Sequence, residues 1–256
     1  MELFWIGMAI FIGLILYMVK EAFANRVVIN ELSFTDFPET FGEVSIFFIS
    51  DIHRRKIASK MIDKVKGKVD MVIIGGDLTE KGVPLDRTKE NINLLKELGP
   101  VYFVWGNNDY EVDYHELDAL LLSLGVKILD NTAVQFESRE GEKFVLLGID
   151  DMNEKRDRLD YALSDAGEEG FRILAAHNPR IIAKIRESHH IRLTLTGHTH
   201  GGQIHILGYS PYEKGTIKQL SQTTLLISNG YGTTAMPMRL GARAETHLII
   251  LKKKSE

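Results

Sequence analysis

The chain has 256 residues, 44% hydrophobic and 26% charged, ordinary values for a soluble core with a polar surface in one large domain or two small ones. Its formal net charge of -4 argues against a nucleic-acid footprint, which needs a basic patch. The absence of cysteine excludes a disulfide framework, a thiolate metal site and a cysteine nucleophile, and says nothing about compartment.

Leu3–Val19 carries no charge, and as a helix it would span about 26 Å, slightly less than a bilayer core. Trp5 and Tyr17 near its ends suit the membrane interface. We read residues 1–24 as a retained, single-pass membrane anchor. The alternatives are a core helix or a signal peptide cleaved near Ala22-Phe23-Ala24, although no Lys or Arg precedes the apolar run. Lys20 and Arg26 follow it, which leans towards a cytoplasmic catalytic domain without fixing the face.

Residues 25–256 read as one domain without repeats or low-complexity linkers. Arg26–Phe34 alternates like an edge strand, and Val44–Ile49 is a continuous apolar run suited to a strand buried on both faces. A helix over Lys56–Lys66, a strand over Met71–Ile74, a helix over Asp86–Leu98 and a strand over Val101–Trp105 complete a β-α-β-α-β pattern. Such a pattern demands parallel strands with crossover helices. His115–Leu124 is a further helix. Lys127–Leu129, Ala133–Glu137 and Lys143–Ile149 read as strands joined by tight turns at Asp130-Asn131 and Glu140-Gly141. Asn153–Glu169 reads as a charged surface helix and loop. Phe171–Ala176 is a strand, and Asn178-Pro179 starts a helix through Ile181–Ile185. Arg192–Thr196, Gln203–Leu207, Thr224–Ser228 and His247–Leu251 are the last strands predicted.

Five short clusters follow apolar runs: Asp51-Ile52-His53, Gly75-Gly76-Asp77, Gly106-Asn107-Asn108-Asp109, Ala176-His177-Asn178-Pro179 and Gly197-His198-Thr199-His200-Gly201-Gly202. Asp51 and His53 are two apart, as are His198 and His200, so each pair can point to one side of an extended turn. Asp77, behind two glycines, can set a carboxylate between two ions. Aspartate, histidine and asparagine donors suit Mn, Fe or Zn. Two such ions side by side would generate a hydroxide and stabilise charge on a phosphoryl group, the chemistry of phosphate-ester hydrolysis. Any one cluster alone could be a common turn. All five in this order are not a coincidence of turns. His189-His190 reads as solvated loop, and His115, His205 and His247 as surface or strand residues.

The clusters follow the pattern D-x-H, G-D, G-N-H-[DE], H and G-H-x-H, and so resemble the calcineurin-like metallophosphoesterase superfamily over nearly all of the chain after the anchor. His177-Asn178-Pro179, the run from Gly197 to Gln203, Gly230-Tyr231-Gly232 and Pro237-Met238-Arg239-Leu240 look like its bacterial YkuE/YaeI-type branch. The resemblance implies an α/β fold, a four-layer α/β/β/α sandwich, with two metal ions. Asp51, His53 and His200 would bind the first ion, Asp77 would bridge, and Asn107, His177 and His198 would bind the second. It also implies a phosphodiester or phosphomonoester substrate, with lipid-linked or envelope esters favoured because members of that branch are often membrane-associated. Asn108 departs from the pattern. It stands where the family has a histidine that contacts phosphate and protonates the leaving group. Asparagine donates hydrogen bonds but supplies no proton. His205 or a metal-bound water would then have to act as the acid. A metal-binding scaffold with weakened catalysis and a nucleotide phosphodiesterase are the competing functions.

Overall fold

Strands apolar on both faces must be covered on both sides. The computed structural model, which describes residues 1–254, does this with two six-stranded sheets packed face to face. The first contains β1 (Val27–Phe34), β2 (Glu43–Ile49), β3 (Met71–Gly75), β4 (Val101–Val104), β5 (Lys127–Ile128) and β12 (Thr246–Lys253), in the order β1-β12-β2-β3-β4-β5. The second contains β6 (Thr132–Glu137), β7 (Lys143–Gly148), β8 (Phe171–Ala175), β9 (Ile191–Thr196), β10 (Thr216–Gln219) and β11 (Thr224–Ile227), in the order β10-β11-β9-β8-β7-β6.

Alternate residues of the strands feed separate apolar layers. Phe47, Ile49, Val72 and Phe103 pack outward under α2 (Ser59–Val65), α3 (Leu85–Lys96) and α4 (Tyr114–Ser123), which contribute Met61, Ile92, Leu95 and Leu117. Ile46, Phe48 and Ile73 point the other way and meet Phe144, Leu146, Ile173 and Leu195 between the sheets. Val145, Leu147 and Leu174 face a third layer with Leu159 and Ala162 of α5 (Leu159–Asp165) and Ile181 of the short 3-10 helix Pro179–Lys184. The result is the α/β/β/α sandwich anticipated above.

Strand polarity decides where the loops gather. β12 runs parallel to β1, with Val27 opposite Thr246, and antiparallel to β2, with His247 opposite Phe48. β3 and β4 run parallel to β2. The C-terminal ends of β2, β3 and β4 therefore lie at the end of the sheet where β1 begins.

What precedes β1 is α1 (Glu2–Ala22), a helix long and apolar enough to cross a membrane. Its apolar side chains from Leu3 to Leu14 are exposed, and only Met18, Glu21 and Ala22 are buried. Carbonyls at and just beyond its C-terminal turn are met by the domain. The Arg55 guanidinium donates to Ala22 O (3.1 Å), Phe23 O (2.7 Å) and Ala24 O (2.9 Å). The Arg239 backbone N–H donates to Met18 O at 3.0 Å.

Three expectations need correction. Lys127–Leu129 and Ala133–Glu137 are not joined by a hairpin turn. Leu129 N donates to Phe103 O, so this segment extends the parallel pairing of β5 with β4, and Asp130-Asn131 carries the chain across to the other sheet. Gln203–Leu207 is not a strand. Gly201, Gly202, Gln203 and Leu207 all have positive φ, which breaks an extended run, and only isolated bridges remain. The edge strand of that sheet is instead β10, antiparallel to β11. The helix expected from Lys56 starts only at Ser59, because Ile57 N is held by Asn91 Oδ1 and Ala58 N by Tyr231 Oη.

His247 lies buried in β12 between Asn30 Oδ1 (3.0 Å) and Ser228 Oγ (3.1 Å). Burial pushes its imidazole down to about 4. The folded-state value lies below the unfolded one, so its contribution is fully present above pH 6.5 and is lost as pH falls towards 4. That difference corresponds to roughly 3 kcal/mol. Thermal unfolding should show a steep loss of midpoint over this window, and His247→Gln should flatten it.

Candidate metal centre

All five candidate ligand clusters sit at the C-terminal ends of strands. Asp51 and His53 follow β2, Asp77 follows β3, Asn107 follows β4, His177 follows β8, and His198 and His200 follow β9. Parallel strands deliver their loops to one end, which is where α/β sheets place their sites. The loops are laced together through the backbone. Asp51 N donates to Gly76 O (3.0 Å), Ile52 N to Asp77 O (2.8 Å) and Gly197 N to His177 O (3.0 Å).

Two groups of side chains result. One donor atom each from Asp51, His53 and His200 lies within 4.8 Å of the other two, and the same holds for Asp77, His177 and His198. Asp77 lies between the groups, its Oδ2 3.2 Å from His177 Nε2 and 3.7 Å from His53 Nε2. Its Oδ1 accepts from Asn108 N at 2.8 Å. Asp51 accepts from His198 N through both oxygens (3.0 and 3.2 Å) and lies 3.4 Å from His200 Nε2.

The tautomers implied by the surroundings suit a cation. His177 Nδ1 lies 2.8 Å from Gly75 O, and His53 Nδ1 lies 2.9 Å from Glu80 Oε2. Each outer nitrogen faces an acceptor and so carries a proton, the arrangement in which a metal-bound histidine offers its inner nitrogen to the ion. Those inner nitrogens face other imidazoles: His53 Nε2 is 3.0 Å from His200 Nε2, and His177 Nε2 is 3.1 Å from His198 Nδ1. Four ring nitrogens and two carboxylates converging in a buried site fit one or two cations by their chemistry.

The electrostatics follow from that crowding. Burial opposes charge on His177, yet the Asp77 carboxylate lifts it to about 10. Burial also opposes charge on His53, but Glu80, Asp77 and Asp51 outweigh it and raise its pKa. Burial and the neighbouring imidazole push His200 well down and lower His198. Asp77 is lowered because His177 and His53 outweigh its burial.

Backbone geometry marks the same residues. Asp51, His53, Asp77, His198 and His200 all have φ between 50 and 70°, the left-handed region that non-glycine residues avoid. Each costs on the order of 1 kcal/mol, and strain concentrated on would-be ligands is a sign of function. Gly76 has φ of 82°, and a Cβ there would stand 2.5 Å from His177 Nδ1. That glycine is required by both backbone and space.

Asn107 and Asn108 open the 3-10 helix Asn107–Glu111 beside the two groups. Asn107 Oδ1 accepts from Asn153 Nδ2 at 3.3 Å, and Asn108 Nδ2 donates to Glu111 Oε1 at 2.7 Å. His205 is half-buried, its Nε2 against Gly201 O at 2.7 Å. His115 and His190 are exposed and His189 is half-buried, outside both groups.

Several supporting residues escaped sequence reasoning. Glu80 backs His53. Asp109, fully buried, accepts from Thr79 N (3.0 Å) and Gly106 N (2.9 Å), tying two ligand loops together. Burial and Asp77 raise its carboxyl to about 7. Arg239, also fully buried, donates to His200 O (3.2 Å), Asn229 O (2.6 Å) and Gly232 O (2.6 Å). Asp151 caps the backbone of Asn153 and Glu154 and is raised by burial. Asp109 stood in the cluster after β4 without a role assigned to it, and Pro237-Met238-Arg239-Leu240 was the local signal for Arg239.

A family model described as calcineurin-like phosphoesterase matches residues 44–202. The uncharacterized protein YpbG of Bacillus subtilis (strain 168) is 45% identical over 210 residues, 81% of each chain. The Danio rerio "transmembrane protein with metallophosphoesterase domain" is 30% identical, covering 92% of this chain and 59% of its own length. YkuE of B. subtilis is 26% identical, covering 84% of this chain and 81% of its own. Among solved structures, a purple acid phosphatase from yellow lupin covers 81% of this chain and 46% of its own, at 11% identity and a TM-score of 0.47.

A metal must displace the proton held on His177, so apparent metal affinity should rise with pH below about 10, with protons released on loading. Mn2+ titration of metal-stripped protein in weak buffer reads both. Glu80→Ala should weaken binding roughly 10–100-fold, the usual scale for losing a ligand's outer partner.

Proposed function

This chain belongs to the calcineurin-like phosphoesterase family and is a metal-dependent phosphoesterase; on that premise we propose that it hydrolyses a phosphodiester at a membrane surface, using two metal ions held at the strand ends. The observation that carries the reading is the position of Asp77 Oδ2 between one imidazole of each group. A carboxylate there can serve two cations at once. Asp51, His53 and His200 are assigned to one ion, and His177, His198 and Asn107 to the other, with Mn, Fe and Zn the metals that suit these donors. When bound, such ions lower the pKa of water and neutralise phosphoryl charge.

The chain's own residues supply the rest. Glu80 and the Gly75 carbonyl keep the proton on the outer nitrogens of His53 and His177 and hold both rings in line. Asn108 can offer an N–H to a phosphoryl oxygen, but its amide carries no transferable proton. Leaving groups that depart without protonation are therefore favoured, which suits a phosphodiester with an acidic alcohol. The same asparagine is what favours the competing reading, a binding scaffold with weakened catalysis.

Helix α1 is assigned as a retained anchor. Support comes from the helix running to Ala22, into the candidate cleavage region, and from Arg55, which donates to the carbonyls of Ala22, Phe23 and Ala24. Cleavage there would strip three acceptors from a guanidinium two residues from His53, leaving it Tyr231 O and Asn25 Oδ1.

With Mn2+ and a chromogenic phosphodiester, Asp77→Asn should lower turnover on the order of 100-fold or more, the scale of losing a group that meets transition-state charge. Equal rates in wild type and variant would favour the scaffold. Asn108→His should extend activity to poorer leaving groups while metal content, read by elemental analysis, stays level.

A further inference from the structure

Behind the second histidine pair, the chain from Ile204 to Tyr212 leaves the domain and exposes Ile206, Leu207, Tyr209 and Tyr212, with Met236 beside them. Ile206 is 74% and Tyr209 75% exposed, and Leu207 is fully so. The segment is a tight hairpin. Ile206 N donates to Tyr209 O (3.1 Å) and Tyr209 N to Ile206 O (2.9 Å). The two tip residues, Leu207 and Gly208, have φ of 52° and 83°. Asn, Asp or Gly normally fills the first of those positions. A leucine held in left-handed backbone and pushed wholly into solvent gains nothing from the fold, and such an outlier calls for a functional reason.

The hairpin also borders the metal centre. A cleft has His198 and His200 at its floor and Ile204, Tyr212, Ala235 and Met236 as its apolar walls. One backbone layer connects this lip to α1. His205 N donates to Leu240 O, and Gln203 Nε2 donates to Thr234 O and Met236 O. The residue before Leu240, Arg239, donates its backbone N–H to Met18 O, where α1 leaves the domain.

We propose that the hairpin Ile204–Tyr212, together with Met236, is a second membrane contact that dips into the same leaflet as α1 and opens the apolar cleft towards lipid. The occupant is the bilayer itself. Continuity with the apolar helix argues for it, and so does strand polarity, which sets the site and the root of α1 at one end of the sheet. Tyrosines following an aliphatic tip suit the interface, where an aromatic ring has an apolar body and a polar end. The phosphoester that reaches the metals would then be one whose apolar part stays in the leaflet. The inference rests on α1 being an anchor, and its last step rests on the proposed hydrolase activity.

The test uses the full chain, which has no cysteine, so one can be introduced as a unique label site. Leu207→Cys carrying an environment-sensitive fluorophore is placed in phosphatidylglycerol–phosphatidylcholine vesicles, with brominated acyl chains as quencher. Tyr209→Cys is the second site should the first not fold. Ser221→Cys, exposed on the loop after β10 at the opposite end of the strands, is the control. Several-fold stronger quenching and a blue shift at the lip support the proposal; a lip label no more quenched than the control overturns it. Ile206→Ser with Leu207→Ser should cut hydrolysis of a vesicle-embedded phosphodiester while leaving a soluble chromogenic one unchanged. Quenching needs no turnover, so an inactive protein with a quenched lip defeats the hydrolase reading alone. An active protein with an unquenched lip defeats this one.

Discussion

Two buried carboxylates without a Lys or Arg against them set the terms for this molecule. Among the described residues, the ion-pair partners of Asp51 and Asp77 are imidazoles, and the remaining contacts to their oxygens are backbone N–H groups. Buried negative charge is costly unless it is paired. Imidazoles meet it only by holding protons, as His177 does, or by yielding their lone pairs to a cation that sits between all of them. The structure is thus balanced between protons and metal.

Holding that arrangement requires the surrounding chain to absorb strain. Left-handed backbone at Asp51, His53, Asp77, His198 and His200 turns each side chain inward directly after its strand. The loops stay in that state because buried groups tie them down from outside. Asp109 clamps the loops after β3 and β4, and Arg239 gathers carbonyls from His200, Asn229 and Gly232. Arg55 stacks 3.7 Å over the Tyr231 ring and joins the same region to the end of α1. Preorganisation of this kind is what lets short loops hold donors to within a fraction of an ångström.

The candidate ligand side chains, and their convergence at the strand ends, were legible in the sequence because each follows an apolar run, and a strand buried on both faces announces where it ends. The clamps were not. Arg239 reaches His200 and Arg55 reaches Tyr231 across long stretches of chain, and no local periodicity encodes such a meeting. Glu80 stands three residues behind Asp77, but nothing in its segment marked it as the partner of His53. The errors in the second sheet have a common cause. Gln203–Leu207 alternates like a strand, but its backbone is bent by positive φ, while Thr216–Gln219 is short and polar yet pairs with β11. Pattern reports what side chains prefer, and at a functional loop the backbone overrules it.

The placement of the last strand has a consequence for the whole. Had β12 paired antiparallel to β1, the ligand loops would have emerged at the far end of the sheet from α1. Instead β12 enters parallel to β1 and antiparallel to β2, so an apolar helix and a cluster of metal-type ligands share one end. Arg55 and Arg239 then make the two continuous, since each touches the root of α1 and the backbone around the ligands. An anchor attached elsewhere would only raise local concentration. Attached here, as proposed, with the carbonyls at its root bonded by the same arginines that brace the site, it would orient the mouth of the cleft towards the surface that α1 enters.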